Sequence, residues 1–175
     1  MSISSYRFHA LVLTVLLSPS FAVASPSGTC HYVDSDVDIT LTIVDGVAYQ
    51  EPNPFDPRKV DTQIVLSSVK LDTGPMVSAK NIEHVVDAQA GNSKGGHVMF
   101  TLNDGKLTRV AAYPESGRSL SRESADLGTA TLSRSNSKGL AGSVETKFSS
   151  DGEVECTTQF DMDFLRVPSV SAKSS

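Results

Sequence analysis

The sequence predicts an all-β fold: an antiparallel β-sandwich, with a flattened β-barrel as the alternative and at most one or two short helices. Three observations carry that expectation. Apolar and polar side chains alternate with a period of two over much of the chain, which in a strand sends them to opposite faces. Asp-Gly pairs punctuate the alternating runs, and only one segment spaces its apolar residues as a helix would.

In chain order, Val37, Ile39, Leu41 and Ile43 alternate with polar residues and run into Asp45-Gly46, after which residues 47–49 are expected to return as the second arm of a hairpin. Residues 62–69 carry Ile64 and Leu66 on one face and Val65 and Val69 on the other, as a central strand covered on both sides would. Residues 78–90 are the helical segment, with Ile82, Val85 and Val86 at helical spacing, Ser78 as cap and Gly91 just past the end. Val98, Phe100 and Leu102 lead into Asn103-Asp104-Gly105, and residues 107–113 return. Residues 127–132 form a weaker, threonine-rich strand inside the Ser- and Arg-rich stretch 116–137, which otherwise reads as a solvated loop. Leu140, Val144, Thr146 and Phe148 then face one way, and after Ser150-Asp151-Gly152 so do Val154, Cys156, Thr158, Phe160, Met162 and Phe164. The total expected is seven to nine strands and three Asp-Gly hairpins.

The N-terminus reads as an export signal. Arg7 and His9 precede an apolar run that Ser18-Pro19 breaks, and Ala22-Val23-Ala24 offers a small-x-small cleavage site. Cleavage after Ala24 leaves residues 25–175 as a single domain, a length that suits one hydrophobic core. The apolar run is too short to span a bilayer, so no membrane insertion is expected once the signal is removed. The net charge of the 175-residue chain is −5, and Arg7 lies in the leader, so the mature protein is more acidic still. That balance excludes a basic nucleic-acid footprint.

Two cysteines, Cys30 and Cys156, stand near the two ends of the mature chain, and an oxidising compartment would join them. Closing so long a loop is worth about 4–5 kcal/mol in the chain-entropy model.

Three patterns bear on chemistry. Asp72-Thr73-Gly74 matches the triplet that carries the catalytic carboxylate of retropepsin-like aspartic proteases. Lys70 stands where that motif has an apolar residue, and Pro75 lacks the N–H its loop would use, so the triplet reads as a turn. Asp34, Asp36 and Asp38 form a D-x-D-x-D run that on one strand would share a face. Ca²⁺ is one relief of their repulsion and plain solvation the cheaper one, and the spacing fails as an EF-hand. A neighbouring strand carrying Asp161 and Asp163 would add ligands. His31, His84 and His97 are scattered, as surface histidines are, and no cofactor fingerprint is present.

Residues 48–59, AYQEPNPFDPRK, are the most individual segment. Pro52, Pro54 and Pro57 stiffen a loop that displays Phe55, Arg58 and Lys59, a candidate binding loop because little entropy is lost when a partner docks on it. The Phe55 ring itself is expected to tuck back and cap one end of the sandwich. The span 47–72, with Ala48-Tyr49, Pro54-Phe55, Val65-Leu66-Ser67 and Leu71-Asp72, resembles a set of exported bacterial proteins of unknown function. The resemblance implies bacterial export and an Asp72 that ends a strand in a non-catalytic setting.

The sequence thus points to a periplasmic or secreted sandwich that binds a protein or envelope partner rather than catalysing a reaction. A calcium-binding envelope protein is the alternative, and an aspartic protease using Asp72 the remote one.

Overall fold

The computed structural model describes residues 25–35, 37–116, 118–124, 126–149 and 152–165. The expected export signal, Asp36, Ser150 and Asp151 lie outside the described residues.

Among the described residues ten strands form two five-stranded antiparallel sheets, neither of which closes on itself. β1 (Ser27–Asp34) and β2 (Val37–Ile43) begin the first sheet. The chain then crosses and lays down β3 (Asp45–Pro52), β4 (Val60–Ser67), β5 (His97–Asn103), β6 (Lys106–Tyr113) and β7 (Leu120–Glu123) as a meander of sequential neighbours, the second sheet. It returns for β8 (Gly128–Ser135), β9 (Gly139–Ser149) and β10 (Glu153–Asp163), giving the first sheet the order β2-β1-β10-β9-β8. Two short helices, α1 (Gly74–Val77) and α2 (Ile82–Asn92), interrupt the meander between β4 and β5. The expected sandwich is therefore the observed architecture.

The first and last strands in chain order meet inside the first sheet. β1 pairs with β10 in a register that sets Cys30 opposite Cys156, Cα to Cα 4.1 Å, and the two are joined by a disulfide. At the far end of β10, Phe164 bridges Ala48 and the Leu165 N–H donates to Ala48 O at 2.8 Å, stitching the segment after β10 onto the second sheet. The core lies between the sheets. Tyr32, Leu41, Ile64, Leu66, Phe100, Val110, Val144, Phe160 and Met162 all sit in it, each at an alternate strand position. The β10 alternation holds as expected: Val154, Cys156, Thr158, Phe160 and Met162 are buried, and Glu155, Thr157 and Gln159 are exposed.

Several expectations are corrected. The strands number ten, because β1 and β7 escape the alternation signal: β1 points Asp34 inward, and β7 buries only Leu120. Of the three Asp-Gly pairs, one closes a hairpin among the described residues, and Asp151 of the last pair lies outside them. Asp104 and Gly105, with φ of 50° and 76°, form the tight β5–β6 turn whose twist suits paired strands. Asp45-Gly46 instead opens β3 in the other sheet, and β3 pairs with β4, not β2. The glycine is required there for room, since a Cβ at Gly46 would lie 2.7 Å from Val65 O and 2.8 Å from a Leu66 methyl. Asp45 anchors the crossing by accepting the Gly46 and Leu71 N–H groups, at 2.9 and 3.1 Å. The long helix starts later than expected. Asn81, not Ser78, caps it by accepting the His84 N–H at 3.1 Å, and Gly91 falls inside it, because Lys94 (φ 53°) takes the left-handed position that ends the run.

Candidate functional site

The second sheet has an inner face in the core and an outer face divided in two. Read across the strands by register, Val47, Val65, Met99 and Ala111 form one apolar row. Helix α2 lies over this row. Its Ile82, Val86 and Ala90, four residues apart, are buried, and Ile82 and Val86 join Met76 of α1 in a second hydrophobic cluster with Val47, Tyr49, Val65, Met99 and Ala111. One step along each strand of that face the chemistry changes. The next row is Tyr49, Gln63, Thr101, Arg109 and Glu123, and the one beyond it Glu51, Asp61 and Asn103. Tyr49 still belongs to the cluster under α2, and the polar residues of these rows lie beyond that cluster. They floor a cavity of about 280 Å³, and Pro54 and Phe55 of the β3–β4 loop form part of its wall.

The floor is ordered by its own hydrogen bonds. Asp61, Gln63 and Thr101 are buried polar side chains. The Asp61 carboxylate accepts from both flanking amides, Asn53 Nδ2 at 3.1 and 2.9 Å and Asn103 Nδ2 at 2.8 Å. Gln63 donates to Glu51 Oε1 at 2.9 Å and accepts the Thr101 hydroxyl at 2.7 Å. Arg109 lies 3.7 Å from Glu123 and donates to Ser121 Oγ at 3.2 Å. A polar network in which each buried member has a partner is rigid, and costly to disturb.

The same economy braces the loop. Asn53 Oδ1 accepts the N–H groups of Phe55 and Asp56, both at 2.9 Å, and Lys59 O accepts the Asn53 N–H at 2.9 Å. Asp56 takes Arg58 in a two-pronged contact at 2.9 and 3.0 Å, and the Arg58 hydrogen bonds hold its carboxyl below the usual range. The expected tucked ring is not found. Phe55 is 90% exposed, because its backbone N–H is tied to Asn53 and its ring is thereby directed away from the core. Of the three expected loop residues, Phe55 joins the cavity. Arg58 is engaged by Asp56, and Arg58 and Lys59 are exposed outside the cavity wall.

The other expected sites come apart. Asp34 ends β1 and Asp38 lies on the neighbouring β2, paired with Val33, so these two do not share one strand's face; Asp36 is outside the described residues. Asp34 is buried against Arg118, Nε to Oδ2 2.8 Å. Burial pushes its carboxyl up, but the Ser35 hydroxyl and the Arg118 guanidinium outweigh that and hold it below the usual range. Asp38 pairs with His31 at 2.8 Å. Asp161 and Asp163, at the opposite end of β10, both pair with Arg134. Among the described residues no group of three or more His, Cys, Asp or Glu could hold a metal ion. The Asp72 triplet is a turn: Asp72 Oδ1 accepts the Gly74 N–H at 2.9 Å, and Thr73 stands at the N-cap position of α1 without a side-chain hydrogen bond, with Pro75 in the first turn. Asp72 does not end a strand, since β4 stops at Ser67.

One histidine departs from the surface reading. His97 is 1% exposed beneath α2, stacked on Tyr113 with ring centroids 4.5 Å apart. Its Nε2 lies 3.3 Å from Asp87 Oδ1 outside hydrogen-bond geometry, and has no hydrogen-bond partner. Burial pushes the imidazole down, against the opposing pull of Asp87 and Glu83. Tyr113 donates to Glu83 at 2.5 Å, and burial and that carboxylate both push its hydroxyl up.

No family model, curated protein or solved structure matches this chain. Its function must therefore be argued from its own geometry.

Proposed function

We propose that this chain is an exported, non-catalytic binding module, and that it receives its ligand in the cavity between Phe55 and the polar floor of the second sheet. The observation that carries this is the Phe55 side chain, 90% exposed on a braced loop at the edge of a preformed cavity. Burying such a ring is worth about 1.5–3 kcal/mol, a gain the isolated chain leaves unrealised and a docking ligand would collect. The floor beneath it already holds its geometry, so the ordering cost of binding is small. Export to an oxidising compartment, periplasmic or extracellular, is supported by the leader-like N-terminus and by the Cys30–Cys156 disulfide.

The side-chain amides of Asn53, Gln63 and Asn103 report on the cavity by NMR. A mixed library of small amines, acids, alcohols, sugars and short peptides, screened against the ¹⁵N-labelled oxidised protein, is expected to give saturable shifts that cluster on those three amides. Shifts scattered over the surface, or confined to another face, would remove the proposal.

A further inference from the structure

Resting on that reading of the cavity, we infer that its ligand is a neutral polyhydroxylated ring, a mono- or disaccharide, held with one C–H face against Phe55 and its hydroxyls on the floor. Four features select this class.

The cavity, about 280 Å³, is at the small end of ligand sites, the scale of one or two sugar rings. Anions are disfavoured by charge, since Glu51, Asp61 and Glu123 surround a single guanidinium, Arg109. A free cation meets carboxylates that are already engaged: Asp61 accepts from two amides, Glu51 accepts from Gln63, and Glu123 stands beside Arg109. Pro54 and Phe55 are the apolar side chains of the wall, too few to enclose an aliphatic ligand.

The floor still offers a mixture of donors and acceptors. Asn103 is tied through its Nδ2 alone, which leaves its carbonyl oxygen to accept, and Gln63 donates one N–H to Glu51 and keeps the second. Arg109 engages Ser121 through Nε, leaving guanidinium N–H groups to donate. A hydroxyl both donates and accepts, so a ring bearing several of them suits planar amide, carboxylate and guanidinium groups fixed side by side. The apolar element complements this. A pyranose presents a patch of C–H bonds on one face, and the negative face of an aromatic ring attracts their weakly positive hydrogens.

The test uses the full mature protein, oxidised and ¹⁵N-labelled, titrated separately with glucose, galactose, mannose, N-acetylglucosamine, cellobiose and maltose, and in further arms with spermidine and citrate. At least one sugar is expected to shift the Asn53, Gln63 and Asn103 side-chain amides saturably, little affected by added salt. Phe55→Ala, whose spectrum should otherwise overlay the wild type, is expected to weaken that binding about tenfold, equivalent to about 1.4 kcal/mol. Saturable shifts on the same amides with spermidine or citrate and none with sugars would overturn the ligand class while leaving the cavity reading in place. Sugar binding unchanged by Phe55→Ala would overturn the stacking arrangement and the inference with it. Silence of those amides in every arm and in the mixed library would overturn both.

Discussion

The covered and open halves of the second sheet's outer face belong to the same strands, two residues apart, yet they have become different materials. Along β4 the outward residues run Ser67, Val65, Gln63, Asp61, and along β5 His97, Met99, Thr101, Asn103. Where the row is Val47, Val65, Met99 and Ala111, exposed apolar area would be unfavourable in water, and α2 packs down to remove it. Where the row is Gln63, Thr101 and Arg109, no such driving force exists, and the side chains satisfy one another across the strands instead. The lesson is that one substitution level along a strand decides whether a sheet face becomes core or site. The loop after β3 follows the same division, since it rises over the polar half and leaves Phe55 in solvent.

The sharpest way to break the comparison is to delete packing from the covered half. Met99→Ala should cost about 2–5 kcal/mol in urea unfolding, because the methionine is fully enclosed between sheet and helix. The open half should respond through unpaired polar groups rather than a cavity. Asp61→Ala leaves the Asn53 and Asn103 amides without their acceptor and should cost about 1–3 kcal/mol, with the Asn53 and Asn103 side-chain signals broadened or moved. A smaller effect should separate the halves by pH. His97 lies under the helix with its imidazole favoured neutral, so its contribution is present above the ordinary histidine value of 6.5 and is lost as pH falls from there toward the depressed native value. Stability should therefore decline with acidification in that window, and His97→Gln should flatten the profile. A wild-type curve that is level between pH 7 and 5 would contradict the buried, neutral His97. The smallest change is expected from Phe55→Ala, within about 0.5 kcal/mol of wild type in stability, since its ring touches solvent.

How much of this was legible in the chain is best judged strand by strand. β9 and β10 could be read because their inward residues alternate with outward polar ones and are mostly apolar, Thr146 and Thr158 excepted, and the Cys30–Cys156 pairing followed from there being two cysteines in the chain. β1 was missed because its inward face ends in Asp34, whose burial depends on Arg118, 84 residues away. The crossing at Asp45-Gly46 was mistaken for a hairpin because both uses demand a glycine, one for a positive φ and the other for the nearness of Val65 O, and only the neighbouring strand distinguishes them. In the candidate site, the stiff loop and its Phe55 were visible as a cluster of prolines around an aromatic. Gln63, Thr101, Asn103 and Arg109 were not, since each is an unremarkable polar residue in its own strand. A signal did exist, a switch from apolar to polar on one face of β3, β4, β5 and β6, but it becomes a site only when register brings the switches level.

By itself, then, the sequence determined the pleated architecture, the pairing of its ends through sulfur and the rigidity of one loop, because alternation, a lone pair of cysteines and prolines act on neighbouring residues or on the chain as a whole. Only the tertiary structure decided which strand lies beside which, where the helix settles, and that Phe55 faces water above a ready-made polar floor. Those outcomes depend on contacts between residues tens of positions apart, whose free energies no local pattern contains.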